Sequence, residues 1–134
     1  MSLIIDSSAL VSLALDGEDV ALARAAVEAT VSEGAYVPAL FWYEIRNVLA
    51  LSQRRGRTTL ERTQEFLDDV EALSLTVDYP PNSDAVLEYA RLYGLTVYDA
   101  AYLELTLRTN SRLASHDEAL RKAVLAAGGA LFTA

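Results

Sequence analysis

Four acidic residues, Asp6, Glu44, Asp99 and Asp117, fall at places where a folded chain can put chemistry. Asp6 closes a short apolar run, Leu3-Ile4-Ile5, and leads into Ser7-Ser8. An acid ending the first strand of a sheet is well placed for a metal. Asp and Ser are equally the preferred caps for a following helix. Glu44 lies in Pro38-Ala39-Leu40-Phe41-Trp42-Tyr43-Glu44-Ile45-Arg46-Asn47, which predicts a helix starting near Pro38. On that reading Glu44 is past the first turn, where neither capping nor the helix dipole accounts for it. Asn47 follows three residues later on the same helical face, able to orient Glu44 or bond a water on a metal. A solvated surface pair is the plainer account of the two.

Asp99 follows Thr96-Val97-Tyr98, and Thr-x-x-Asp is a capping-box-like opening for a helix. Asp117 sits in Ser115-His116-Asp117-Glu118, where Ser115 and Glu118 make the better capping box and leave Asp117 without a capping duty. Each acid has a structural explanation by itself. Their conjunction is what points to a site.

Other chemistries are short of residues. The chain has no cysteine, which removes disulfides, thiolate metal sites and a cysteine nucleophile together. His116 is the only histidine and Lys122 the only lysine. Zinc sites want several His or Cys ligands, and a phosphate-binding loop wants a glycine-rich turn ending in lysine. Carboxylates are what remain.

The elements that must position these acids are readable as alternation. Apolar runs predict strands at Leu3 to Asp6, Ala35 to Val37, Leu73 to Val77, Arg112 to Ala114 and Ala130 to Phe132. Helical stripes lie between them: Val20, Ala23, Val27 and Val31; Phe41, Ile45, Val48 and Leu49; Leu60, Thr63, Leu67 and Val70. Val86, Tyr89, Ala90 and Tyr93 make a further stripe, as do Ala100, Leu103 and Leu107, and Leu120, Ala123, Val124 and Ala127. Gly34, Gly56 and Gly94 are expected as left-handed C-caps. Pro80-Pro81 breaks the chain after the third strand, and Gly128-Gly129 precedes the last. Strands alternating with helices predict a parallel sheet covered on both faces, in one α/β domain over residues 1–134. In such sheets ligands bind beyond the carboxyl ends of the strands, near the switch in strand order. Acids distant in sequence can meet there.

Composition fits a globular domain, 52% hydrophobic and 22% charged, with no apolar run near the roughly 18 residues of a membrane span. The N-terminus lacks a basic region and a long apolar stretch, so the cytoplasm is the expected location. A net charge of -8 is unexpected for a protein handling a polyanion. Without the four acids it would be about -4, and two divalent cations would bring it near zero.

The runs Ile5-Asp6-Ser7-Ser8-Ala9-Leu10, Glu44 with Asn47, Thr96-Val97-Tyr98-Asp99-Ala100-Ala101-Tyr102-Leu103, and Leu113-Ala114-Ser115-His116-Asp117 together resemble PIN-domain ribonucleases. They are most similar to the VapC-like toxins of bacterial VapBC-type toxin–antitoxin modules. The likeness covers essentially the whole chain, and Thr-x-Tyr-Asp-Ala is its most specific piece. The last motif commonly has Thr two positions before its Asp; Ser115 stands there and keeps the hydroxyl.

The resemblance implies a three-layer α/β/α sandwich with a five-stranded parallel sheet, Mg²⁺ or Mn²⁺ held by Asp6, Glu44, Asp99 and Asp117, and RNA hydrolysis. It further implies a homodimer and a cognate antitoxin. Both ions prefer oxygen ligands, and clustered acids, which raise one another's pKa, need a cation. Asp6 and Asp99 are expected as principal ligands, with Ser8, Asn47 and Ser115 supporting them. Arg54, Arg55 and Arg57 surround Gly56 at a helix end, where they either satisfy terminal carbonyls or touch RNA phosphate or an acidic partner. His116 reads as a surface residue of a first turn or a proton shuttle, and the tyrosines as core and dimer contacts rather than stacking platforms.

Two other functions compete. A phosphotransfer domain also uses aspartate after a parallel strand. However, the dehalogenase pattern needs a second Asp where Ser8 stands, and Lys122 falls within a helix rather than after a strand. A catalytically silent interaction module with the same fold is the stronger alternative.

Overall fold

The computed structural model describes residues 1–15, 17–78 and 81–134; Pro80 of the predicted Pro-Pro break lies outside them. Leu3–Ile5 forms β1, and all three residues are fully buried. An apolar strand with no polar face can only be satisfied by cover on both sides. That cover comes from two sets of helices. Leu3 and Ile5 face a core built with α1 (Ser7–Val11), α2 (Ala21–Glu33), α3 (Phe41–Arg54) and α4 (Leu60–Glu71). Ile4 faces the other core, built with α5 (Ser83–Tyr93), α6 (Val97–Arg108) and α7 (Glu118–Ala126). The result is the expected three-layer α/β/α sandwich.

The remaining strands are β2 (Ala35–Pro38), β3 (Leu75–Asp78), β4 (Arg112–Ala114) and β5 (Ala130–Leu131). All pairings are parallel, in the order β3-β2-β1-β4-β5. The chain builds outward from β1 through β2 to β3, then crosses back to β4 on the opposite side of β1. The switch in strand order therefore lies between β1 and β4, where Ile5 pairs with Ala114. Asp6 and Ser115 are the next residues of those two strands.

Several predicted details are corrected by packing. The stripe Val20, Ala23, Val27, Val31 is rotated: α2 buries Leu22, Ala23, Ala26 and Thr30, while Val31 is 72% exposed. Small residues let this helix approach the sheet closely, and the Thr30 hydroxyl is satisfied by the Ala26 carbonyl at 2.7 Å. In α4 the buried positions are Thr63, Phe66 and Val70, and Leu60 is exposed because it only opens the helix behind its Thr59 cap. Gly94 is a left-handed C-cap as expected, but Gly34 combines φ 75° with ψ 171°, an extended turn that feeds β2 directly. The third strand begins at Leu75 rather than Leu73. Among the described residues no helix is long and apolar enough to cross a membrane.

α6 is the central helix of its layer and is buried on several sides, including Glu104 at 2% exposure. Arg108, one turn on, bonds Glu104 and also Asp78 at the end of β3. The backbone N–H of Asn82 donates to Glu104 Oε1 at 3.3 Å, and the Asn82 side chain caps α5. One buried acid thus joins β3, α5 and α6. Removing one partner of such a network leaves the others desolvated, and Glu104→Ala is expected to cost about 2–3 kcal/mol. A urea midpoint equal to wild type would rule that out.

Candidate active site

All four predicted acids lie at helix starts along the carboxyl edge of the sheet. Asp6 is the N-cap residue of α1, directly after β1, yet its side chain makes no capping bond. Its Oδ2 instead accepts two hydroxyls, Ser8 Oγ at 2.7 Å and Ser115 Oγ at 2.6 Å. Those hydroxyls are oriented in turn: the His116 N–H donates to Ser8 Oγ at 2.9 Å, and the Asp117 N–H to Ser115 Oγ at 3.0 Å. Oδ1 has a 3.5 Å contact with Ser7 Oγ, and the Ser8 backbone N–H also favours the ionised carboxylate. Asp6 is thus held chiefly through Oδ2.

Glu44 requires a correction. Pro38 ends β2, and α3 begins at Phe41 after a short turn, so Glu44 is in the first turn of its helix, where the dipole favours an acid. The proline cannot continue the ladder beyond β2, and the chain needs Ala39-Leu40 to change direction. Glu44 Oε1 accepts a hydrogen bond from the Tyr102 hydroxyl at 2.6 Å. Asn47 is exposed and has no hydrogen bond with Glu44.

Asp99 is in the first turn of α6, whose cap is Thr96, accepting the Asp99 N–H at 3.1 Å. Asp117 also differs from expectation. It is itself the N-cap of α7, accepting the Leu120 N–H at 2.9 Å, while Ser115, buried, turns inward to Asp6. A completely buried hydroxyl beside a buried carboxylate gains more from that charge-assisted bond than from capping at the surface.

The acids sense one another's charge. Burial raises the Asp6 carboxyl above the usual range, against the hydroxyls of Ser115 and Ser8, with Asp117 adding to the rise. Burial pushes Glu44 up to about 7, opposed by Tyr102 and reinforced by Asp6, Asp99 and Asp117. Asp99 rises to about 6, through burial first and then Asp117 and Asp6. Folded Glu44 and Asp99 thus hold protons that the unfolded chain releases nearer pH 4. The metal-free fold should lose stability as pH rises from about 4 to about 7. Urea midpoints across that range will show the fall, and Asp99→Asn should flatten it; a midpoint rising with pH would contradict this electrostatic picture.

The donor set fits a hard divalent cation: four carboxylates, all oxygen, repelling one another when no positive charge lies between them. Among the described residues no three acids are already closed into a coordination cage. Mg²⁺ needs only one or two direct carboxylates because it keeps several waters.

The sequence pattern of the PIN domain matches residues 3–124. The chain belongs to the PIN-domain family. PIN domains are generally nucleases and generally use divalent metals. This PIN domain is also similar to the crystal structure of PAE2754 from Pyrobaculum aerophilum. The TM-score is 0.72 at 28% identity, covering 92% of this chain and 86% of the other. No curated relative matches it.

Two groups at or near the site were not singled out from sequence. Tyr102 stands three residues after Asp99, a helical neighbour position that could have flagged it. Glu104, an acid between Leu103 and Leu105, with Arg108 one turn on, signalled a buried pair. Of the tyrosines, Tyr102 is core, but Tyr43 and Tyr98, each preceding a site acid, are 79% and 64% exposed. Arg54 and Arg55 are exposed at the far end of α3, ten residues or about 15 Å from Glu44, and Arg57 pairs with Glu18. His116 is exposed beside Ser8.

Proposed function

We propose that this PIN domain is a Mg²⁺- or Mn²⁺-dependent endoribonuclease, the VapC-like toxin of a bacterial type II toxin–antitoxin module. The nuclease reading is supported by four carboxylates at four separate helix starts along the carboxyl edge of the sheet, of which Asp6, Glu44 and Asp99 each feel the charge of other members of the set. Asp6 and Asp99 are the principal ligands of the cation, and Glu44 and Asp117 complete the site. Ser8 and Ser115 hold Asp6 in one orientation. When bound, the cation neutralises the acids, activates a water and stabilises charge on the phosphodiester. Hydrolysis of one P–O bond would consume one water, leaving a phosphate terminus on one side and a sugar hydroxyl on the other. The N-termini of α3, α6 and α7 lie at the same edge, and their dipoles favour a phosphate despite the acidic chain.

The toxin assignment rests on the motifs around Asp6, Asp99 and Asp117. Its cognate antitoxin is a partner that keeps the site closed, and the cytoplasm is where both meet RNA. An apolar groove of about 440 Å³ between α2 and α4, floored by Leu13, Val27, Phe66 and Leu73 and rimmed by Arg62, Glu65 and Asp69, suits an amphipathic antitoxin helix. Exposed Leu87, Leu92, Val97 and Tyr98 support a homodimer.

The test is cleavage of single-stranded RNA with Mn²⁺ added, with a chelator control. Metal-dependent internal cleavage is the expected result. Tight RNA binding without any cleavage would instead favour the silent interaction module.

A further inference from the structure

We propose that Tyr102 is a positioning residue of this site: its hydroxyl ties down one oxygen of Glu44 and so presents the other to the cation. The inference rests on the nuclease reading above and adds to it a residue that reading does not use. Tyr102 is fully buried, yet its hydroxyl sits among the groups that carry the acids. It donates to Glu44 Oε1 at 2.6 Å, a short bond of the charge-assisted kind. The Ser7 backbone N–H, next to Asp6, lies near enough to the same phenol oxygen to favour its ionised form. Asp99 precedes Tyr102 by three residues on α6, so the ring lies on the helical face that carries Asp99. One phenol therefore joins the start of α1, the first turn of α3 and α6.

Glu44 needs such a tie more than the aspartates do. Its side chain has one more rotatable bond, and it is only half-buried, so an untethered carboxylate would sample several rotamers. The Asp6 arrangement is parallel: its Oδ2 is held by two hydroxyls. Both acids thus have one oxygen fixed by short hydroxyl bonds from the protein. A buried tyrosine serving only to fill space would not require its hydroxyl to reach an acid of the site.

Tyr102→Phe keeps the ring and removes the tie. Isothermal titration of the intact chain with Mn²⁺ should show Kd weakened about 10- to 30-fold, the scale seen when a group orienting a metal ligand is lost. RNA cleavage should lose kcat with KM nearly unchanged. In a Glu44→Gln background, Tyr102→Phe should change Mn²⁺ Kd by less than about twofold, because the two act through one contact. A space-filling role, which phenylalanine preserves, would leave both Kd and the melting temperature in chelator near wild type. Equal Kd for wild type and Tyr102→Phe overturns the proposal and leaves the nuclease reading standing; a wild-type chain that binds no Mn²⁺ overturns both. Should Tyr102→Phe fail to fold, Glu44→Asp withdraws the carboxylate from the phenol by one methylene. Wild-type Mn²⁺ affinity in that variant would equally defeat the tether.

Discussion

Asp6→Asn is expected to reduce metal-dependent RNA cleavage by roughly 10³-fold, because a cation-held acid site contributes several kcal/mol to the transition state. The substitution suits the test because it changes charge and little else. The asparagine carbonyl oxygen can still accept the hydroxyls of Ser8 and Ser115 that now meet at Oδ2. The lost activity would then come without a lost fold. Burial already disfavours the Asp6 carboxylate, and Asp117 adds repulsion, so the metal-free variant should be at least as stable as wild type. Asp99→Asn should behave alike. Rates within a few-fold of wild type in either folded variant would show that catalysis lies elsewhere.

Saturating Mn²⁺ should raise the melting temperature, by about 8 °C at 100 times Kd. That concentration adds about 2.7 kcal/mol of stabilisation, and a chain of this length gains roughly 3 °C per kcal/mol. At one fixed Mn²⁺ concentration the rise should be larger at pH 8 than at pH 5.5, because Kd is weaker at the acidic pH. Glu44, at about 7, and Asp99, at about 6, hold protons at the lower pH that a cation must displace. At the higher pH they are ionised, repel one another, and gain most from a positive charge. Calorimetry with and without chelator at both pH values decides it. An unchanged melting temperature, or a larger rise at the acidic pH, would mean that these carboxylates do not share a cation.

The two predictions differ in what they demand of the fold. The first needs one residue in the right place, and the second needs several acids to act together. Asp99→Asn connects them, since it should remove activity and most of the Mn²⁺-dependent rise at once.

Much of the architecture could be read along the chain. The strand Arg112 to Ala114 has its predicted limits, three others shift by one residue at one end, and the third moves at both ends, from residues 73–77 to Leu75–Asp78. Thr96 before Asp99 marked the start of α6 because a cap is a local bond, written within three residues. The acids themselves were evident for a similar reason: with no cysteine and single lysine and histidine residues, few other chemistries remained.

What the chain alone decided is therefore the set of elements and the identity of the polar groups, both governed by neighbours three or four residues away. Tertiary structure decided how each element is rotated and which atoms face each other. Val31 points to solvent because small residues of α2 fit the sheet better, and Glu44 enters a first turn because Pro38 belongs to β2. The bonds from Tyr102 to Glu44 and from Ser115 to Asp6 span 58 and 109 residues. No local periodicity encodes such contacts. They follow from the volumes that pack between helices and sheet, which also set the burial that raises the pKa of Asp6, Glu44 and Asp99.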